Sequence, residues 1–227
     1  MNKYLTFSYD DGVTQDIRLI ELFNKYNMKA TFNLNSGLLG RENHLIREGV
    51  CIDHTKVQPQ NVRHIYDGHE IAAHTLTHPL LTTLDRNEII RQTEQDRLVL
   101  SDLCGYEVVG MAYPGGSYSD FVSNLIKENT GIQFARTVIS THSFHVQKEL
   151  FQFHPTVYHH KEMDTLFTLG EEFLNLHADT PQIFFVWGHA YEFDIHDDWA
   201  KFEDFLQMMC GREDICYCTN REALLAI

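Results

Sequence analysis

The chain reads as an α/β protein built on a mainly parallel sheet, and three observations predict it. Apolar runs rich in β-branched and aromatic residues alternate with helical periodicity along the whole sequence. Strand followed by helix, repeated, lays helices over a parallel sheet, either an open doubly wound sheet or a closed barrel. The residues least suited to a core fall at the carboxyl ends of the strands, where both architectures assemble their sites.

Taken in order, Tyr4–Tyr9 is the first strand, closed by Asp10 and Asp11 and turned by Gly12, with a helix over Gln15–Tyr26. A second strand covers Ala30–Leu34, and a third, Glu70–Ala73, runs into His74. The helix over Arg86–Leu103 is the best marked. Asp85 caps it with Glu88 three residues later, and Gly105 sits just past its end, where a left-handed residue is wanted. Strand Val108–Tyr113 leads into Pro114-Gly115-Gly116, a helix covers Ser119–Glu128, and strand Gln133–Thr137 carries Arg136. A helix over Asp164–Leu176 precedes strand Ile183–Trp187 and Gly188-His189; helix Trp199–Met209 and strand Ile215–Tyr217 complete the set. Cys216 and Cys218 are expected to face opposite ways.

At 227 residues, with no linker or low-complexity tract, residues 1–227 are expected to form one domain. The sequence contains no run of 18 apolar residues, so no membrane span is expected. A net charge of −14 argues against nucleic acid, whose binding needs lysine and arginine. Five cysteines, an odd count scattered through a large chain, suit a reducing compartment. Met1-Asn2-Lys3 enters the first strand without an apolar leader, and the expected location is the cytoplasm.

Adjacent carboxylates at a buried strand end need a cation or a proton. His74 and His78, four residues apart on a strand-to-helix connection, supply imidazoles that reach one ion together. Fourteen histidines make such spacings common by chance, so the flanks matter: a buried-looking strand runs into His74, and Pro79 follows His78. With one aspartate the set is His2Asp, three ligands with a coordination position left over, which characterises a catalytic zinc and suits amide or ester hydrolysis. Asp11 as ligand with Asp10 as base, or the reverse, both fit the spacing. His189 stands at the end of an apolar strand, as a core histidine or as an acid that protonates a leaving amine. Gly115 and its neighbours form a turn that could present a backbone N–H to an oxyanion. Arg136 is hard to bury without a carboxylate partner, for which Asp10 is the candidate.

Tyr9-Asp10-Asp11-Gly12, His74-x-x-x-His78 with Pro79, Ala112-Tyr113-Pro114-x-Gly116 and Gly188-His189 occur in the order and spacing of the polysaccharide deacetylases, carbohydrate esterase family four. The resemblance runs from about Lys3 to the C-terminus. It implies a deformed (β/α) barrel of about seven parallel strands and a divalent metal, zinc in the usual case, serving hydrolysis of N- or O-acetyl groups on carbohydrate. Carried over by position, Asp10 resembles the catalytic base, Asp11, His74 and His78 the metal ligands, and His189 the acid. The Gly115 N–H would stabilise the oxyanion. Tyr113 is a candidate for substrate contact, and His159 and His160, on a connection beside the cleft, read either as surface histidines or as substrate contacts. The family's third motif has an arginine two residues before the proline, where this chain has Ala112. Arg136, reaching Asp10 from the next strand, is expected to replace it. Hydrolysis of another small C–N amide, or a carbohydrate-binding relic without turnover, are the competing readings.

Overall fold

A computed structural model describes residues 2–226. Its strands are β1 (Lys3–Asp10), β2 (Thr31–Leu34), β3 (His44–Arg47), β4 (Val50–Asp53), β5 (Glu70–Ala73), β6 (Gly110–Ala112), β7 (Phe134–Arg136), β8 (Val157–Tyr158), β9 (Gln182–His189) and β10 (Ile215–Tyr217). Its helices are α1 (Asp16–Lys25), α2 (Val62–Ile65), α3 (Arg86–Cys104), α4 (Asp120–Asn129), α5 (Met163–Asn175), α6 (Phe193–His196), α7 (Trp199–Met209) and α8 (Asn220–Leu225). The main sheet runs β7-β6-β5-β2-β1-β9-β8, with β10 against the first half of β1. Its pairings are parallel. The sheet curls until the segment leading into β8 bridges Arg136 of β7 through Phe153. There the Phe153 N–H donates to Ala135 O at 3.0 Å and the Thr156 N–H to Phe185 O at 2.8 Å. The architecture is the deformed (β/α) barrel.

Alternation along each strand divides the barrel wall into two faces. On β1, Leu5, Phe7 and Tyr9 point outward, where Phe7 and Tyr9 meet Phe23 of α1 and Phe202 of α7. Tyr4 shares a second cluster with Phe134, Ile183 and Phe185, which plugs the barrel toward the strands' amino ends. Thr6, Ser8 and Asp10, in phase with Tyr4, continue that inner face upward as a polar column. Arg136 is in phase with Phe134, and Trp187 with Ile183 and Phe185. The interior is therefore apolar below and polar above, and Ser8, Asp10, Arg136 and Trp187 meet at its upper end for reasons of phase alone.

Each strand and longer helix expected from the sequence is present with small shifts of boundary. The α3 caps form as read: the Asp85 side chain accepts from the Glu88 N–H, and Gly105 is left-handed at φ 82°. The β3–β4 hairpin, β8 and the short helices α2, α6 and α8 went unread. Strand β8 has two residues, too few for a period, and α8 has six. The β3–β4 hairpin did leave a signal, since Glu48 (φ 51°) and Gly49 (φ 81°) form a two-residue turn of left-handed residues between paired four-residue strands. Cys216 and Cys218 pack on one and the same cluster, as residues two apart on a strand must, so the expectation of opposite faces was wrong. All five cysteines are free. Among the described residues no helix is long and apolar enough to cross a membrane.

Candidate active site and metal centre

Asp10 closes β1 with its carboxylate in the barrel's polar column, 2% exposed. Arg136 Nη2 donates to both carboxylate oxygens, at 2.5 Å each, and Asn33 Nδ2 donates to Oδ1 at 2.8 Å. The guanidinium is itself fixed on every side: Nε donates to Ser8 Oγ at 3.2 Å, Nη1 to the Thr137 carbonyl at 2.9 Å, and its Cζ lies over the Trp187 ring, 4.6 Å from the centroid. Burial opposes the charge on Asp10, yet Arg136, with His74 and His189, holds its carboxyl below the ordinary carboxylate range. Asp10 is thus ionised, and its orientation is fixed.

Asp11 turns the other way because its backbone is left-handed, at φ 84°, a conformation that costs a non-glycine residue on the order of 1 kcal/mol or more. Thr75 (φ 64°) and His78 (φ 60°) are left-handed too, so strain concentrates on the two loops that face each other. One ligand-capable atom from each of Asp11, His74 and His78 lies within 4.8 Å of the others. His74 is 1% exposed; its Nδ1–H donates to the Ala112 carbonyl at 2.8 Å, which leaves Nε2 as the unprotonated, inward-facing nitrogen. That Nε2 is buried without a hydrogen-bond partner, 3.9 Å from a carboxylate oxygen of each aspartate. Burial lowers the His74 pKa to about 4, keeping the imidazole neutral, as a metal ligand must be. An orphaned nitrogen aimed between carboxylates, with His78 Nε2 3.6 Å from Asp11 Oδ1, fits a divalent cation.

Several residues of this cluster escaped the sequence reading. His54 Nε2 bonds Asp11 Oδ2 at 3.0 Å, and Lys56 Nζ stands 3.7 Å from Oδ1. Burial pulls the Asp11 pKa up, but the His54 hydrogen bond and the Lys56 charge hold it well below the usual range. Both residues follow the unread hairpin, in a stretch with no motif spacing. Asp96, on the inward face of α3, accepts from the backbone N–H of His74 at 2.9 Å and of Ser36 at 2.7 Å and so supports the ligand loop. The helical period placed its helix, yet a buried aspartate there resembles any other polar residue of a helix face.

His189 ends β9 beside Asp10 in register. Its Nδ1 is 3.0 Å from Glu192 Oε1, and its backbone N–H donates to Glu192 Oε2 at 2.9 Å. Burial works against the imidazolium, but Glu192 and, behind it, Asp11 and Asp10 raise the His189 pKa to about 9. The ring is therefore charged at neutral pH. Glu192, three residues past His189, carried no motif spacing of its own. Gly188 is required by packing, since a Cβ there would stand 1.7 Å from the His159 ring.

A cavity of 620 Å³ opens on this edge, lined among others by Asp11, His78, Gly115, His160 and His189 and bordered by Leu45–Glu48 of the hairpin. Gly115, left-handed at φ 57°, lines it. His160 lines it as well, with Nε2 3.2 Å from Glu48 Oε1. His159 does not: fully buried, its ring packs against Tyr9 and Phe193 with Nε2 3.2 Å from Glu192 Oε2, so a substrate cannot touch it. Tyr113 is also sealed in, its hydroxyl donating to the Phe151 carbonyl at 2.8 Å. Alternation on so short a strand turned that side chain into the wall.

Comparison with known proteins gives a family and a fold. Residues 1–135 match the family model described as polysaccharide deacetylase. Peptidoglycan-N-acetylglucosamine deacetylase PgdA of Listeria monocytogenes is 22% identical over 142 residues, 62% of this chain and 26% of that protein. The match thus spans about a quarter of the curated relative's length. A family 4 acetyl xylan esterase from Clostridium thermocellum, solved with a cobalt ion, superimposes with a TM-score of 0.62 at 14% identity, covering 99% of this chain and 91% of that one. BA3943 of Bacillus anthracis, described as a CE4 family pseudoenzyme, gives 0.59 at 17% identity, over 98% and 66%.

Proposed function

The chain belongs to the polysaccharide deacetylase family, and on that premise we propose that it is a metal-dependent hydrolase removing N-acetyl groups from an amino sugar or short glycan. The observation that carries the reading is the division of labour within the aspartate pair. Asp10 is locked to Arg136 and Asn33 inside the barrel, whereas Asp11 faces His74 and His78.

Asp11, His74 and His78 would hold the cation, with zinc the expected ion. A divalent cation there supplies Lewis acidity, lowering the pKa of water and polarising an acyl carbonyl. Asp10, ionised and unable to rotate, accepts the proton of the attacking water. His189, charged and backed by Glu192, gives a proton to the departing sugar amine. Gly115 lines the cavity, and its N–H would stabilise the charge that the acyl oxygen gains. A 620 Å³ cavity is the size of a small-ligand site, and the hairpin border favours a single sugar or short oligomer over a long polymer.

The test is acetate release from N-acetylglucosamine and its oligomers by zinc-loaded protein. Release abolished by chelator and by Asp10→Asn is the expected result. Metal-loaded protein that releases no acetate from any acetylated sugar would overturn the reading and favour a relic like the pseudoenzyme it superimposes on.

A further inference from the structure

We propose that Glu48, His160 and His196 form a second divalent-metal site, distinct from the Asp11 cluster, which ties the tip of the β3–β4 hairpin to the wall of the cavity. The three residues come from three separate elements: Glu48 from the hairpin turn, His160 from the connection after β8, and His196 from the last position of α6. All three converge. His160 Nε2 lies 3.2 Å from Glu48 Oε1 and His196 Nε2 lies 3.0 Å from Oε2. One ligand-capable atom from each lies within 4.8 Å of the others, and the two imidazole planes differ by 5° at a centroid separation of 5.6 Å.

One carboxylate facing two imidazoles can be satisfied by two neutral rings that each donate an Nε2–H to it, by two protonated rings, or by a divalent cation. Protonating both rings sets like charges side by side, which each disfavours in the other. A divalent cation takes the carboxylate and two neutral imidazoles at once, the His2Glu set that leaves a coordination position over. Nitrogen and carboxylate donors select zinc, cobalt or nickel over calcium or magnesium. Exposure is graded as an entry path requires: the His160 side chain is 5% exposed, Glu48 45% and His196 52%. The hairpin forms a two-stranded sheet separate from the main one, so side-chain contacts of this kind tie its tip to the cavity wall. Glu48 and His160 line the same cavity as Asp11 and His78, so the second ion would fix the border under which substrate enters. None of its ligands belongs to the first cluster, and the proposal stands apart from the deacetylase reading because its readout is metal content.

The full chain is equilibrated with buffered zinc, freed of excess metal and analysed for zinc per chain. About two ions are expected for the wild type and about one for Glu48→Gln, for His196→Ala and, from the other cluster, for Asp11→Asn. Zinc content left at the wild-type level, whether one ion or two, in both Glu48→Gln and His196→Ala, or both ions lost from each of those variants, would overturn it. The clamp is read separately by trypsin cleavage after Arg47. Zinc is expected to slow that cleavage about fivefold or more in the wild type and to leave it unchanged in His196→Ala. Equal cleavage of the wild type with and without zinc would overturn the clamp.

Discussion

Replacing Arg136 by methionine keeps most of its volume, removes its charge and strands Asp10. Asp10 is 2% exposed; without the guanidinium it retains the Asn33 N–H at 2.8 Å and the more distant charge of His189. Breaking a buried ion pair from one side costs about 3 to 5 kcal/mol, and lost stacking on Trp187 adds about 0.5 to 1 kcal/mol. Much of the first cost comes from the stranded carboxylate, so Arg136→Met combined with Asp10→Asn should recover about 2 kcal/mol or more. The pH dependence has a definite sign. In the wild type the depressed Asp10 pKa contributes stability above the unfolded value, lost as pH falls through the folded one. In Arg136→Met the folded pKa rises above the unfolded value, so the deficit grows as pH rises from about 4. Urea unfolding of the four proteins of the cycle, at pH 5 and pH 7, measures both effects. Acetate release should fall about a hundredfold or more, with the acidic limb of the rate profile displaced to higher pH, because only ionised Asp10 accepts a proton. Zinc content should hold at the wild-type level. If Arg136→Met and the double variant unfold alike and the acidic limb stays in place, the pairing does not govern Asp10.

Three further outcomes follow from the geometry. Glu192→Gln removes the main support of the His189 charge, and the alkaline limb of the acetate-release profile should move down by about 1 to 2 pH units; an unmoved limb would exclude His189 as the acid. Glu70, buried with its pKa raised to about 7, holds a proton in the folded chain that the unfolded chain has released, so it weakens the fold as pH rises from about 4.5 to about 7. Glu70→Gln should therefore match the wild type near pH 4 and exceed it by up to about 3 kcal/mol above pH 7 in urea titrations, and a gain independent of pH would contradict this. Gly188→Ala drives a methyl group into the His159 ring and should cost about 2 kcal/mol or more of unfolding free energy, whereas a neutral effect would show that the ring can yield.

The sequence pattern determined the strands that carry Asp10, Arg136 and His189, because each stands out as an apolar run. It also determined which ends of those strands carry ionisable groups. What it could not yield were the partners lying between elements. His54, Lys56, Asp96 and Glu192 sit in loops or on an ordinary helix face, where neither period nor spacing marks a residue that later meets a carboxylate. Tyr113 and His159 show the converse, residues in suggestive segments whose side chains the fold turned into the interior.

The aspartate pair marks the boundary between the two kinds of knowledge. Sequence alone established that two adjacent carboxylates close a buried strand and need compensating charge. Only the tertiary structure decided which charge each receives. Strand phase aims Asp10 into the barrel toward Arg136, and a left-handed backbone at Asp11 swings its carboxylate toward His74, His78 and His54. Burial fixes the protonation of each group, and burial is a property of the packed barrel, to which segments far apart in the chain all contribute.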